Sequence, residues 1–305
     1  YRKNISTPGP GVQDINWGGI NMKRKLLIAL GAVTSMIAVV ALALPTILHN
    51  AGLHPEFHGE KAGMLPGKKA LIITTSHGVL AAPGETTGDQ TGVMASELTH
   101  PYYSFLRSGL EVDVASIKGG QIPVDPQTLN FVIRTPEDVR YLDDSVLQAK
   151  VNNSIAIADI DFAAYDIVFL SGGWGAAYDL GQSSVLGKKI SDAYYSEREP
   201  LIGGVCHGVL GLINARDREG NLLIAGRKMT GVTDKQIKEL GIEVTPLHPE
   251  TELRKAGVRF EANSAFRDFF ATHTVADDER RFVTGQNQNS GRETAQAMLA
   301  LLADR

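Results

Sequence analysis

Apolar and polar residues divide the chain into two regions with different patterns. Residues 26–48 form one uncharged apolar run, whereas from Lys69 onward short apolar runs alternate with amphipathic stretches and glycine-rich turns. Apolar runs of four to eight residues are typical of strands buried on both faces. Strands that alternate with helices predict a parallel sheet covered on both sides. Residues 69–305 are therefore predicted to form an α/β domain.

The predicted elements of this domain alternate along the chain. Strands are predicted at residues 70–75, 111–116, 166–170 and 200–205, and near 258–261 and 281–284. Helices are predicted at residues 94–106, 183–196, from 209 to 214 and at 292–303. Binding sites in such sheets form at the carboxyl ends of the strands, so the residues that follow the strands are the candidates for chemistry.

The uncharged run at residues 26–48 has the length of a membrane-spanning helix. Its first 19 residues as a helix span about 29 Å, close to the thickness of a hydrocarbon core. Lys23, Arg24 and Lys25 precede the run, as in a secretion signal or an uncleaved signal anchor. The basic flank predicts that the domain lies on the non-cytoplasmic side, anchored in the membrane through residues 26–48. If the signal at 22–48 is cleaved, the domain is secreted or periplasmic.

The remaining segments complete the predicted domain organisation. Residues 1–21 are expected to be an unstructured upstream extension, and residues 49–68 a linker rich in Pro, Gly and His. The part of the chain after residue 49 carries 25 basic and 33 acidic residues. The other five basic residues and the one other acidic residue lie within residues 1–25. An acidic body argues against a nucleic-acid partner, which needs a basic face. The single cysteine, Cys206, excludes an intramolecular disulfide.

Cys206 lies in the stretch that joins a predicted strand to a predicted helix. Small residues flank it in the run 203–210, which is the pattern of a nucleophile elbow that exposes a side chain above the sheet. A helix amino terminus lowers the pKa of a thiol, so a Cys206 pKa below about 8.5 is expected. The alternative is a buried structural cysteine. His207 follows directly and is suited to act as a base or to bind an oxyanion through its N–H group.

Two further segments carry residue types that suit this chemistry. Gly172 and Gly173 end a neighbouring strand, where backbone N–H groups can approach a substrate closely and complete an oxyanion hole. Glu97 lies early in a predicted helix and could move protons beside the thiol. A tight strand–helix turn and a surface glutamate are the structural alternatives for these two segments.

The order of these motifs resembles the ThiJ/PfpI superfamily, from about residue 69 to the carboxyl end. The matching segments are Glu97 with His100-Pro101, 116–120, 123–126, 165–166, 171–175, 178–180, 206–208, 230–231 and 284–287. The long segment between residues 125 and 165 resembles the branch of glutathione-independent glyoxalase III, also described as heat-shock chaperones and protein deglycases. The resemblance implies a flavodoxin-like three-layer sandwich with a mostly parallel sheet, similar to class I glutamine amidotransferases.

The resemblance also implies a mechanism without a metal or an organic cofactor. Cys206 attacks the aldehyde of methylglyoxal or a related 2-oxoaldehyde, and Glu97 or His207 moves a proton through an enediol. Water then releases the 2-hydroxy acid, as in a glyoxalase III-type lyase (D-lactate dehydratase). The implied partners are a small aldehyde or a glycated protein, and a second copy in a homodimer. A holdase chaperone with little turnover and a small-amide hydrolase or peptidase are the alternative functions.

The sequence departs from the family pattern after residues 230–231. Relatives often place an acid there that orients the histidine, whereas this chain has Gln236 and Ile237. Asp234 and Glu239 are the alternatives for this third triad member. The segment His248-Pro249-Glu250 spells part of a glutaminase triad but is interpreted as a helix start. The other histidines considered, His54, His58, His77 and His273, are interpreted as loop or core residues rather than metal ligands.

Overall fold

The computed structural model describes residues 17–305, which divide into two units at residues 47 and 48. The first unit holds most of helix α1 (Trp17–Asn50), whose side chains are exposed from Arg24 through Leu42. Its segment Arg24–Asn50 is long and apolar enough to cross a membrane, with a mean hydropathy of 2.5. The helix is confirmed, and its membrane crossing stays a prediction. It starts within the extension expected to be unstructured, of which residues 1–16 lie outside the described range.

The strands of the second unit are β1 (Lys69–Thr74), β2 (Val79–Leu80), β3 (Asp89–Gln90), β4 (Glu111–Ser116), β5 (Ile155–Ala156), β6 (Ile167–Leu170), β7 (Leu201–Val205), β8 (Lys228–Met229), β9 (Arg259–Phe260), β10 (Thr274–Ala276) and β11 (Phe282–Gly285). Seven of them form one sheet in the order β10-β11-β7-β6-β1-β4-β5. All neighbouring strands in this sheet are parallel except the edge pair of β10 and β11.

Helices cover both faces of this sheet. The α-helices after α1 are α2 (Ala95–Arg107), α3 (Pro136–Asp143), α4 (Ser145–Asn152), α5 (Ala176–Asp179), α6 (Ser184–Tyr194), α7 (Asp234–Leu240), α8 (Pro249–Lys255) and α9 (Gly291–Ala303). Short 3-10 helices occupy Pro126–Leu129, Ile157–Asp159, Phe162–Ala164, Leu180–Gln182, Cys206–Leu212, Asp268–Phe270 and Gln288–Ser290.

The alternation of side chains along β1 shows how the two cores form. Ala70 and Ile72 belong to the core that includes buried residues of α2 and α9, whereas Leu71 and Ile73 belong to the core that includes α6. Successive side chains of a strand point to opposite faces, so a strand buried on both faces is apolar throughout. The α/β class and the mostly parallel sheet predicted from the sequence are thereby confirmed.

Several local predictions need correction. The strand expected at 258–261 pairs only with β8, in a separate two-stranded sheet. The helix expected to begin at Val209 is a 3-10 helix that already begins at Cys206. Helices α3, α4 and α7 lie in stretches for which the sequence pattern gave no helix. Within the expected linker, Leu53 and His54 are buried.

The fold brings the carboxyl ends of β6 and β7 beside the start of α2. The Ser171 hydroxyl, just after β6, donates to the backbone carbonyl of Glu97 at 2.8 Å. The Met94 amide, just before α2, donates to the Gly172 carbonyl at 3.4 Å. These two bonds fix the first turn of α2 against the sheet edge, which is where parallel sheets place their sites.

Candidate active site

Cys206 follows β7 directly and has a left-handed backbone, with φ of 56°. A non-glycine residue in this region is uncommon and stores strain, and such residues gather at functional sites. The sequence-predicted elbow is therefore present in the backbone itself. The residue is only 7% exposed, so the turn presents its sulfur to an enclosed space rather than to open solvent.

His207 contacts the sulfur through its ring. Its Nδ1 lies 3.4 Å from Cys206 Sγ, and the ring packs edge-on against Trp174 with centroids 5.0 Å apart. Burial, with a smaller contribution from the charge of His248, lowers the pKa of His207 to about 3. Its Nε2 is buried without a hydrogen-bond partner in residues 17–305. The imidazole is therefore neutral across the physiological range.

Glu97 is completely buried and lies beside the Cys206 sulfur. The Cys206 thiol and the Gly172 amide lie close enough to its carboxyl to lower the pKa, but neither reaches hydrogen-bond geometry with it. Burial outweighs both and raises the pKa to about 8. A carboxyl that is protonated at neutral pH can exchange a proton with a neighbouring thiol. The alternative of a surface glutamate is thereby excluded.

The expectation of a low thiol pKa is wrong. Burial and the Glu97 carboxyl raise the pKa of Cys206 well above its usual range, whereas the amides of His207 and Gly173 lower it to a lesser extent. The expected helix dipole is weak because only a seven-residue 3-10 helix follows. Deprotonation of this thiol therefore requires a proton acceptor, and Glu97 is suited to that role once it has lost its own proton, near pH 8.

The glycine turn after β6 is shaped by the contacts around it. A Cβ on Gly172 would lie 2.5 Å from Glu97 Oε2 and 2.8 Å from the His207 nitrogen. Gly173 has φ of 95°, and a Cβ there would lie 2.4 Å from the Met94 nitrogen. Of the two glycines predicted for an oxyanion hole, Gly173 directs its amide toward the sulfur together with His207, and Gly172 directs its amide toward Glu97. Their role with a substrate stays a prediction.

The structure does not bring Asp234 or Glu239 to His207. The Asp234 carboxylate accepts from the Thr251 hydroxyl at 2.7 Å, and Glu239 accepts from the Asp268 amide at 2.8 Å. Since His207 Nδ1 faces the sulfur and its Nε2 has no partner in the described chain, no carboxylate hydrogen-bonds to this ring. The site is a Cys–His–Glu arrangement in which Glu97 lies beside the Cys206 sulfur and does not hydrogen-bond to the His207 ring.

Gln236, in the segment where relatives often carry an acid, belongs to a network of amides. Its Oε1 accepts from Asn287 Nδ2 at 2.9 Å, and its Nε2 donates to Gln288 Oε1 at 3.2 Å. Gln288 in turn donates to the Phe269 carbonyl at 2.7 Å. A neutral amide fits this network because it both donates and accepts, whereas a carboxylate only accepts.

Cys206 opens onto a cavity of about 280 Å³. Its lining comes from the elbow, from the first turn of α2 and from several loops. The lining residues are Met94, Glu97, Asp125, Gln127, Thr128, Ile133, Gly173, Trp174, Cys206, His207, Val232, Gln236, Leu240, Ile242, Phe269 and Gln288. The sequence indicated Glu97, Gly173, Cys206 and His207. Its family-like segments also included Asp125 and Trp174, and it singled out Gln236 as a departure from the family pattern. It gave no signal for the remaining lining residues, because they lie far apart along the chain.

Two other sequence interpretations concern histidines. In the His248-Pro249-Glu250 segment, Glu250 accepts from the Asp234 amide of α7 at 3.0 Å and from Arg254 of its own helix α8 at 2.8 Å, so these groups hold its carboxylate. His54 is buried, as a core residue is expected to be. Among residues 17–305, no group of three or more His, Cys, Asp or Glu side chains is arranged to hold a metal ion.

Comparisons with known proteins agree with this fold. Residues 90–300 match the model of the DJ-1/PfpI family. The chain is 30% identical to Glyoxalase 3 of Candida albicans over 76% of its own length and 97% of that protein. It is 27% identical to glutathione-independent glyoxalase HSP31 of Saccharomyces cerevisiae over 76% and 96%.

Solved structures of two proteins are also similar to this chain over most of its length. The crystal structure of glyoxalase III from Candida albicans matches with a TM-score of 0.68 and 28% identity, covering 77% of this chain and 97% of that one. The Rapid Encystment Protein 24 kDa of Francisella tularensis matches with a TM-score of 0.69 and 31% identity, covering 77% and 99%. The family match spans more than half of the chain and includes every residue of the Cys206 site, and so the chain belongs to the DJ-1/PfpI family.

Proposed function

We propose that this protein converts methylglyoxal or a related 2-oxoaldehyde to the 2-hydroxy acid without glutathione, with Cys206 as nucleophile. The observation that carries the proposal is the position of the sulfur. It lies on a strained elbow at a cavity, between His207 Nδ1 and a buried glutamate without a hydrogen-bond partner. This chain aligns with nearly the full length of relatives named Glyoxalase 3 and glutathione-independent glyoxalase HSP31. Their names support this reaction over amide hydrolysis.

The proposed reaction begins at the aldehyde carbon. The Cys206 thiol gives its proton to Glu97 and the sulfur attacks that carbon, while the amides of Gly173 and His207 bind the developing oxyanion. Proton return to this oxygen gives a hemithioacetal and leaves Glu97 as a carboxylate.

The second stage moves a proton between the two carbons. Glu97 removes the hydrogen from the former aldehyde carbon, the electron pair moves toward the neighbouring ketone, and the ketone oxygen takes the hydroxyl proton of the hemithioacetal, which gives an enediolate. Return of the proton to the second carbon gives a 2-hydroxy thioester. Water then cleaves the carbon–sulfur bond and restores the thiol, so that one water is consumed and no outside oxidant is needed. His207 is neutral and is suited to orient this water or the sulfur.

Lactate formation from methylglyoxal by the reduced full-length chain in detergent tests the proposal. Cys206→Ala and Glu97→Gln are expected to lower kcat/KM by at least about a thousandfold, since each removes a group from the reacting centre. Asp138→Asn is the matched control, because it changes another buried carboxyl beside α2 that does not line the cavity. Lactate formation that survives in Cys206→Ala, or its absence in the fresh wild-type protein, would contradict the proposal.

We further propose that α1 anchors the domain in a membrane, with the domain on the non-cytoplasmic side. The apolar exposed surface of the helix and the basic residues that precede its apolar run at residues 26–48 support this placement. Retention of the full chain in the membrane pellet after alkaline carbonate washing, and loss of that retention when Leu30 and Val39 are both replaced by Arg, are the expected results. Release of the unchanged chain into the supernatant would contradict an uncleaved anchor.

A further inference from the structure

The cavity above Cys206 is lined in part by apolar side chains. Met94, Ile133, Trp174, Ile242 and Phe269 come from separate segments of the chain, and each is only partly buried. Apolar side chains that remain partly exposed around one concave surface are typical of a ligand pocket. These five residues are called the apolar wall.

The amides of Gln236 and Gln288, which line the cavity, are already engaged by the protein. Gln236 bonds to Asn287 and Gln288, and Gln288 also bonds to the carbonyl of Phe269. A buried amide that is already paired gains little from a further polar ligand. These side chains therefore form a satisfied surface rather than an additional polar recognition site.

Charge in the cavity is also distinctive. Its lining includes no lysine or arginine, in the part of the chain that the structure describes. The other carboxyl in the lining besides Glu97 is Asp125, which accepts from the Thr91 hydroxyl at 2.9 Å and from the Gln127 amide at 2.9 Å. An anionic substrate would thus meet two carboxyl groups and no cation. Moving its charge out of water would cost free energy that no partner in the cavity offsets.

The size of the cavity exceeds what a three-carbon aldehyde fills. At about 30 Å³ per water molecule, 280 Å³ corresponds to about nine waters. Methylglyoxal has five non-hydrogen atoms and would leave most of the apolar wall uncovered. A phenyl group in place of its methyl group would double the number of non-hydrogen atoms and contact that wall.

We infer that the site prefers neutral 2-oxoaldehydes whose ketone carbon carries a bulky apolar or aromatic group, with the apolar wall as the specificity-determining surface. This inference rests on the proposed function for the reacting end of the substrate. The aldehyde lies at Cys206 and the apolar group lies against Phe269 and Ile242.

Kinetics with four aldehydes test this preference in the full-length protein, with the Cys206→Ala rate subtracted. The kcat/KM for phenylglyoxal is expected to exceed that for methylglyoxal by at least about tenfold, because burial of apolar groups is the main source of discrimination in such pockets. The anionic 4-carboxyphenylglyoxal is expected to fall at least about tenfold below its neutral counterpart of similar size, 4-carbamoylphenylglyoxal. Equal values for the methyl and phenyl substrates, or for the charged and neutral pair, would overturn the inference.

Variants of the wall separate specificity from general damage. Phe269→Ala and Ile242→Ala are each expected to lower kcat/KM for phenylglyoxal by about tenfold and for methylglyoxal by less than about twofold. Phe266→Ala is the matched control, since Phe266 lies in the same loop, is 95% exposed and does not line the cavity. Equal losses for both substrates in the wall variants would contradict a role in specificity.

An occupancy measurement distinguishes failure of this inference from failure of the proposed function. Iodoacetamide alkylation of Cys206 is followed in the presence of 2-hydroxyacetophenone or hydroxyacetone, two ketones that differ in the same phenyl and methyl groups. Protection at concentrations at least about tenfold lower for the phenyl ketone is expected, even if no aldehyde is turned over. Equal protection by both ketones would overturn the preference, whereas absence of turnover with selective protection would overturn only the proposed reaction.

Discussion

Helix α2 has buried polar groups on two sides, and the two sides differ in how those groups are bonded. Toward the sheet edge, Glu97 has no hydrogen bond to either carboxyl oxygen from the described residues. Toward α3, Asp138 accepts from the Thr99 hydroxyl at 2.7 Å and from the Thr135 amide and hydroxyl at 2.7 and 2.8 Å. Both carboxyls are almost completely buried. The same helix therefore supports one satisfied carboxyl and one unsatisfied carboxyl.

A neighbouring ion pair extends the satisfied side. Arg292 of α9 donates to Glu137 at 2.6 Å and to the backbone carbonyls of His54 and Pro55. The Nδ1 atoms of His54 and His100 lack partners in the described chain, but burial lowers the pKa of both rings, so the unpaired atoms belong to neutral groups. An unpaired neutral ring atom costs less than an unpaired carboxylate.

The difference separates a structural role from a chemical one. Buried polar groups that serve the fold are usually fully hydrogen-bonded, and an exception marks stored strain or function. Glu97 is such an exception and lies beside a strained cysteine. Asp138 instead closes a capping box at the start of α3 and ties that helix to α2. Replacing Glu97 and Asp138 by their amides should therefore have opposite effects on the stability of the folded protein.

The largest expected effect is the pH dependence of turnover. Below about pH 8 Glu97 is protonated, and the thiol, with its pKa raised further, is protonated as well. The reaction requires a pair that holds a single proton, so kcat/KM for methylglyoxal should rise about a hundredfold from pH 6 to about pH 9, with its midpoint near pH 8, and then level.

The controls for this profile use the two carboxyls. Asp138→Asn should keep the midpoint near pH 8, because this residue does not contact the sulfur. Glu97→Gln should leave only a low residual rate without that midpoint. A wild-type midpoint below pH 6, measured from initial rates between pH 5 and pH 9, would contradict an unsatisfied Glu97.

Stability should respond in opposite directions to the two substitutions. The folded-state pKa of Glu97 lies above its ordinary value of 4.5, so the folded protein loses stability as pH rises from about 4.5 to about 8. Glu97→Gln lacks this loss and should be more stable than wild type by a few kcal/mol at pH 8.5, with little difference at pH 4.5. Thermal unfolding at the two pH values measures this change as several degrees in Tm.

Asp138→Asn supplies the opposite case for stability. The substitution replaces an acceptor oxygen with an NH2 group among donors, so about 1–3 kcal/mol should be lost at both pH values. Destabilisation of both variants by similar amounts at pH 8.5 would show that Glu97 also serves the fold.

The sequence predicts the strands and the position of Cys206 because these features leave local patterns of residue types. Strands β1 and β6 are buried on both faces, so their continuous apolar runs are visible without tertiary information. The flanking glycines marked Cys206, because a tight turn needs small residues. The depth of Glu97 was not predictable, since a glutamate in the first turn of a helix is usually exposed.

Other features depend on contacts between distant segments. Phe269 reaches the cavity from the short 3-10 helix Asp268–Phe270, more than 60 residues after Cys206, in a segment without regular periodicity. The thiol pKa was mispredicted because the pattern of a strand–helix turn does not report the burial that opposes ionisation. Residues Asp234 and Glu239 were plausible partners of His207 by spacing alone, but α7 directs their carboxylates to other donors.

The smallest expected effect concerns these two acids. Asp234 and Glu239 behave as the satisfied carboxyls do, because each accepts a hydrogen bond from a group outside the cavity. Asp234→Asn and Glu239→Gln should therefore change kcat/KM for methylglyoxal by less than about threefold, with at most a small loss in Tm. A loss of a hundredfold or more in either variant, with Tm unchanged, would show that the carboxylate acts through His207 during turnover. In that case the Cys–His–Glu site would include a triad acid that the resting structure directs elsewhere.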